Sequence, residues 1–240
     1  MRKLGMVTAA VLAGAAALGV AGRADQSGGT ITGKVRFTGT KPVMPVIKDI
    51  GEDSACKAKY TTLPREETVV VNANGTLANV FVYVKAGLPP GAPYPKPATP
   101  VVLDQTGCHY VPHVFGIMVG QTLQIKNSDG FLHNIKAMGK KNRPFNISQP
   151  SVMTNDRTFT AEEVMVPLEC NVHGWMHAWV GVLPHPFYAV SGRDGSYTIK
   201  GLPPGTYTIE AWHEKYGSQT ATVTVTAGAP KTQGFTFAAH

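Results

Sequence analysis

The stretch Val119-Gly-Gln-Thr-Leu-Gln-Ile-Lys-Asn127 alternates apolar and polar side chains through Leu123 and Ile125, then enters the turn Asn127-Ser-Asp-Gly130. Alternation with a period of two places every second side chain on one face, which marks a half-buried strand. The pattern recurs on both sides. Ile31, Val35 and Phe37 alternate with Thr32, Lys34 and Arg36. Glu67–Val71 and Asn79–Val84 flank Asn72–Gly75, which reads as a hairpin with an Asn-Gly turn. Ser196–Lys200, Thr206–Trp212 and Thr220–Thr226 read as a meander, punctuated by Asp194-Gly195 and Gly201-Leu-Pro-Pro-Gly205. No helical periodicity competes with these signals. Short strands between Gly/Pro turns predict an all-β protein of sandwich architecture.

The 240 residues are 43% hydrophobic and 15% charged, which argues against a coiled coil, a disordered chain or a disulfide-dense miniprotein. Arg2 and Lys3 precede an apolar run from Leu4 to Ala21, and Gly22 and Ala24 sit at −3 and −1 of a cut before Asp25. Residues 1–24 therefore read as a signal peptide, or as an N-terminal anchor if left uncleaved. Its removal takes away Arg2, Lys3 and Arg23 and no acid, so the formal charge falls from +7 to +4. That is no nucleic-acid footprint. No later segment reads as a membrane span, so the expected location is the periplasm or the medium, where disulfides form.

Two joints, the Pro-rich Gly87–Pro100 and Pro184–Pro186, divide the rest into 25–100, 101–183 and 184–240. The middle segment holds the chemistry. Cys170-Asn-Val-His173-Gly-Trp-Met176 offers a thiolate, an imidazole and a thioether after the strand-like Val164–Glu169, and His133-Asn134 follows the Asn127–Gly130 turn. Two imidazoles and a thiolate with a weak axial thioether form the ligand set of a type 1, blue-copper site. Zinc could use Cys170, His133 and His173, but Met176 would then have no purpose. The plainest alternative makes Cys170 a buried thiol, His173 a surface residue and Met176 core filler. His177 competes with Met176 for the axial place and would give an altered site.

Other residues have blander readings. His109 and His113 are expected in hydrogen bonds or at the surface, with His113 the best candidate for an extra role. His185, His213 and His240 read as surface residues, and Trp175 and Trp179 as packing, with Trp175 placed to shape the surface near the ligands. Lys136, Lys140, Lys141 and Arg143 read as a solvated loop or, alternatively, as a docking patch for an acidic redox partner. Asn146-Ile-Ser148 matches a glycosylation acceptor, relevant only in a eukaryotic host.

The block Val119–Asn127 leading to His133-Asn134-Ile135, followed by Cys170-x-x-His173-x-x-Met176, resembles the cupredoxins over residues 101–183, with the short Cys-to-Met spacing of the amicyanin-like members. The resemblance implies a Greek-key β-sandwich holding one copper through His133, Cys170, His173 and Met176. It also implies that Asn134 ties the two ligand loops together and that the edge of His173 reaches an apolar surface patch. Glu169 beside the ligand and the length of the chain depart from the simple pattern. With Cys170 on the metal, Cys56 and Cys108 remain as a pair, whose disulfide would stabilise the fold by about 3–4 kcal/mol.

Residues 187–236 resemble the carboxypeptidase regulatory-like, transthyretin-related β-sandwich modules, through Asp194–Ile199, Leu202–Tyr207 and Thr220–Thr226. The opening strands of such a module are missing just upstream but have counterparts in Gly29–Phe37 and Asn79–Val84. One sandwich split by an inserted cupredoxin is the expected arrangement. The functional expectation is an exported, non-enzymatic copper protein that passes single electrons between protein donors and acceptors. The rivals are an extracytoplasmic interaction or carbohydrate-binding module with a structural or vestigial metal, and a copper enzyme with an altered axial ligand.

Overall fold

The computed structural model describes residue 1 and residues 28–239. The expected leader, Met1 apart, and His240 lie outside the described residues. The alternating segment Gly29–Thr38 is a strand that buries Ile31, Val35 and Phe37 while Lys34 and Arg36 face out. It pairs antiparallel with Ser196–Leu202 and parallel with Pro230–Thr232 and Phe235–Ala238. A second sheet runs Tyr188–Val190, Phe81–Ala86, Gly205–His213, Gly217–Val225. Both sheets feed one core, which includes Ile31, Val82, Ile199, Ile209 and Phe237. Strands from the two ends of the chain therefore share one sandwich.

The strands between residues 101 and 183 form the other sandwich. One sheet runs Val114–Met118, His177–Leu183, Glu163–Glu169, His133–Ala137, Phe145–Gln149. The other runs His109–Val111, Val101–Thr106, Thr122–Asn127, Met153–Thr158. Leu103, Leu123, Ile125, Ile135, Val166 and Val180 fill the space between them. The strand Met153–Thr158 escapes hydrophobic patterning because it is polar after Met153; as an edge strand on Thr122–Asn127 it has no apolar face to bury.

The expected hairpin over 67–84 needs correction. Gly75 takes the positive φ of +73° that the turn requires, but Val71 and Leu77 meet only as an isolated bridge. Asn79 then breaks the extended backbone at a φ of 60°, and Phe81–Ala86 pairs with Gly205–His213 instead. Apolar side chains there find a deeper core across the chain than a local hairpin offers.

Glycine-seated rings and a long excursion help link the sandwiches. Gly116 and Gly181 are register partners on adjacent strands, and their bare backbone seats the rings of Tyr188 and Phe81. Residues 47–63 leave the first sandwich and pack Ile47, Ile50 and Cys56 on the core of the second. This excursion carries a 3-10 turn, Lys48–Gly51, and a one-turn helix, Ser54–Lys57, capped by the Asp53 carboxylate accepting from the Cys56 N–H at 2.9 Å.

Candidate metal centre

Cys170 directly follows the strand Glu163–Glu169, is buried, and is the free cysteine of the chain. Its N–H donates to the Met176 carbonyl at 3.1 Å, and the Met176 N–H donates to the His173 carbonyl at 2.9 Å. These bonds close residues 170–176 into a tight loop, and the His173 N–H points at the Cys170 Sγ from 3.4 Å. Met176 is buried in the same cluster as Cys170. His133 opens the strand His133–Ala137, and its Nδ1 lies 2.9 Å from the Nδ1 of His173, itself 3.8 Å from the Cys170 Sγ. Three buried donors thus converge, each within 4.8 Å of the others.

Burial alone would raise the Cys170 thiol. The hydrogen-bonding contacts with His133 and His173 outweigh it and bring the pKa down from 9.0 to about 5. The sulfur is therefore a thiolate at neutral pH, the form that binds metal. The Nε2 of His133 faces the Asp129 carboxylate at 2.9 Å. A carboxylate only accepts, so Nε2 carries the proton and Nδ1 of the neutral ring presents a lone pair. Asp129 also accepts from the Gly107 and Cys108 N–H groups at 2.8 and 2.7 Å. Burial pushes its carboxyl up, but these bonds and His133 hold it well below the usual carboxylate range.

Asn134 joins the ligand-bearing segments: its Oδ1 accepts from the Asn171 N–H at 2.5 Å, and its Nδ2 donates to Asn146. Trp175 packs against His173 with ring centroids 5.0 Å apart and donates its Nε1–H to the Cys108 carbonyl. The disulfide Cys56–Cys108 is formed, as expected.

Other expectations fail. The edge of His173 does not reach the surface: the residue is 3% exposed, and its Nε2 faces Asp53 Oδ2 at 3.5 Å and Cys56 Sγ at 3.8 Å. The disulfide-tied 47–63 excursion covers it. His177 turns away from Cys170 toward His113 and Glu214. His185 and His213 are buried rather than on the surface. The Nδ1 of His213 accepts from the Lys215 and Tyr216 N–H groups in a turn, which satisfies that nitrogen within the fold. Asp129 and Asp53, the residues that hold the outer nitrogens of the two histidines, carry no motif. Asp129 alone has a local signal, four residues before His133 in the turn that ends a strand.

Residues 180–238 match the model of the carboxypeptidase regulatory-like domain. No curated protein matches the chain. Solved cupredoxins align with part of it. A copper-containing nitrite reductase from Thermus scotoductus does so at 23% identity and a TM-score of 0.33, covering 40% of this chain and 25% of that one. A mutant amicyanin in its Cu(I) form gives 15% identity and a TM-score of 0.33, covering 42% of this chain and 97% of its own. A purple cupredoxin from Nitrosopumilus maritimus gives 22% and 0.29, covering 35% and 97%. This chain spans a quarter of the nitrite reductase's length.

Proposed function

We propose that this chain is an exported type 1 copper protein that carries single electrons between protein partners. The observation that carries the reading is the convergence of one buried cysteine sulfur and two buried imidazole Nδ1 atoms. This donor set fits copper: soft sulfur suits Cu(I), imidazole suits Cu(II), and the described residues bring no fourth Cys or His to this group, which a closed zinc site would need. His133, Cys170 and His173 would hold the ion, with Met176 as the fourth ligand by its place in the loop. Copper supplies one-electron exchange between its two oxidation states. The protein keeps the donors in one arrangement: Asp129 fixes the tautomer of His133, Asn134 locks the two segments together, and the 47–63 excursion excludes water from His173.

Four protein donors leave no open position for a substrate, so we read a carrier rather than an enzyme. We read residues 101–183 as a copper-binding insertion in a regulatory-like sandwich built from both ends of the chain, which docks or displays it. The visible spectrum of the Cu(II)-loaded protein tests the function. An intense thiolate charge-transfer band, lost in Cys170→Ser, with a reversible one-electron potential, is expected. A faint d–d spectrum, or a protein that holds only colourless zinc, would overturn it.

A further inference from the structure

A second cluster of metal-binding groups lies at the seam between the sandwiches. His113 precedes the strand Val114–Met118, His177 opens the strand His177–Leu183, and Glu214 follows the strand Gly205–His213 of the other sandwich. One donor atom from each lies within 4.8 Å of the other two. The His113 Nε2 is 2.5 Å from Glu214 Oε1, and the His177 Nε2 is 3.8 Å from Glu214 Oε2.

The far nitrogens decide what these near ones offer. His113 Nδ1 lies 3.2 Å from the His177 carbonyl oxygen, and His177 Nδ1 lies 3.0 Å from the Trp175 carbonyl oxygen. A carbonyl oxygen only accepts, so both Nδ1 atoms carry hydrogen. With hydrogen on Nδ1, each ring turns its Nε2 toward one carboxylate, and in the neutral form that nitrogen presents a lone pair. Lone pairs facing lone pairs repel unless a cation lies between them. Metal-binding histidines are characteristically pinned in this way, through the ring nitrogen that does not bind.

Glu214 is pinned as well, since the Trp179 Nε1–H donates to its Oε2 at 2.9 Å. The side chains of His113 and Glu214 are 3% and 8% exposed, whereas His177 is 33% exposed and gives access. A small adjoining cavity that reaches both histidines is also lined by Ile47, Glu66 and Glu67, and the two glutamates add negative charge nearby.

The geometry points to a second metal site, in which His113 Nε2, His177 Nε2 and the Glu214 carboxylate bind a divalent cation of the zinc class and clamp the two sandwiches together. Two imidazoles and a carboxylate leave a position for water, as in open zinc sites. The site shares no donor with Cys170, His133 and His173 and does not depend on the copper reading.

Co(II) titration of the copper-free full chain tests it. Two equivalents are expected: one with a near-ultraviolet thiolate band, and one with weak d–d absorption alone. Glu214→Gln and, separately, the partly exposed His177→Ala are expected to weaken the second equivalent at least tenfold, with the thiolate band retained in Glu214→Gln. Failure of the copper reading removes the thiolate band while the other equivalent persists. Binding of no Co(II) beyond the thiolate-bearing equivalent would overturn the second site, leaving a proton as the cation between His113 and Glu214. So would a second equivalent whose affinity His177→Ala leaves unchanged.

Discussion

The Nε2 of His133 and the Oδ2 of Asp129 lie 2.9 Å apart, with both side chains at most 1% exposed. The carboxylate fixes which ring nitrogen is free and is itself held by two backbone N–H groups from the loop beside Cys108. Asp129→Ala removes the orienting partner and leaves those donors unsatisfied. Copper affinity is expected to fall by about 10–100-fold. A competition titration against a chelator measures it, and unchanged affinity would show that His133 is positioned by packing alone.

The disulfide ties the excursion over His173 to the sandwich of residues 101–183 across a separation of 52 residues. On the chain-entropy model a loop of that length contributes about 4 kcal/mol. The double variant Cys56→Ser, Cys108→Ser is expected to lose stability of that order in urea unfolding. It should also expose the His173 ring, read as faster exchange of the bound metal with chelator.

The seam rests on two glycines. A Cβ on Gly181 would lie 2.4 Å from the Phe81 ring, and one on Gly116 would lie 2.3 Å from the Tyr188 ring. Gly181→Ala is expected to cost about 1–3 kcal/mol through overpacking. Gly174→Ala, where a Cβ meets nothing within 4 Å, is the control and should be tolerated. Equal urea midpoints for the two variants would contradict the seam as described.

Burial lowers the pKa of His213 from 6.5 to about 4. Between those values the unfolded chain binds the proton and the folded chain does not. Stability from this residue is therefore fully present above pH 6.5 and is lost as pH falls toward 4. Protonation would also remove the acceptor for the Lys215 and Tyr216 N–H groups. Urea unfolding at several pH values should show a steeper loss for the native chain than for His213→Asn across that window.

Glu163 shows why polar residues resist sequence reading. It sits in a strand otherwise rich in apolar side chains, yet its carboxylate accepts from the Lys140, Lys141 and Asn142 N–H groups. Lys140 and Lys141 read from the sequence as a solvated loop or docking patch, and both are exposed, but their backbone N–H groups are bound to this buried anion, which that reading does not reveal. The same blindness applies to His213, whose partners are N–H groups that every residue carries.

The strands and the donor loop were legible because both are local. Period-two alternation over Gly29–Phe37 and Val119–Asn127 reports burial of one face, and the spacing of Cys170, His173 and Met176 lies within a single loop. The polar edge strand Met153–Thr158 and the fate of Asn79–Val84 were not, because each depends on its neighbour in the sheet.

By itself the sequence determined the all-β class, the identity of the converging donors and the pairing left to Cys56 and Cys108. The tertiary structure alone decided what surrounds them: Asp129 behind His133, the disulfide-tied excursion over His173, and Glu214 meeting His113 and His177 across the seam. The physical reason is range. A side chain's type and spacing follow from the chain, whereas burial, protonation and tautomer depend on groups that only packing brings within a few ångströms.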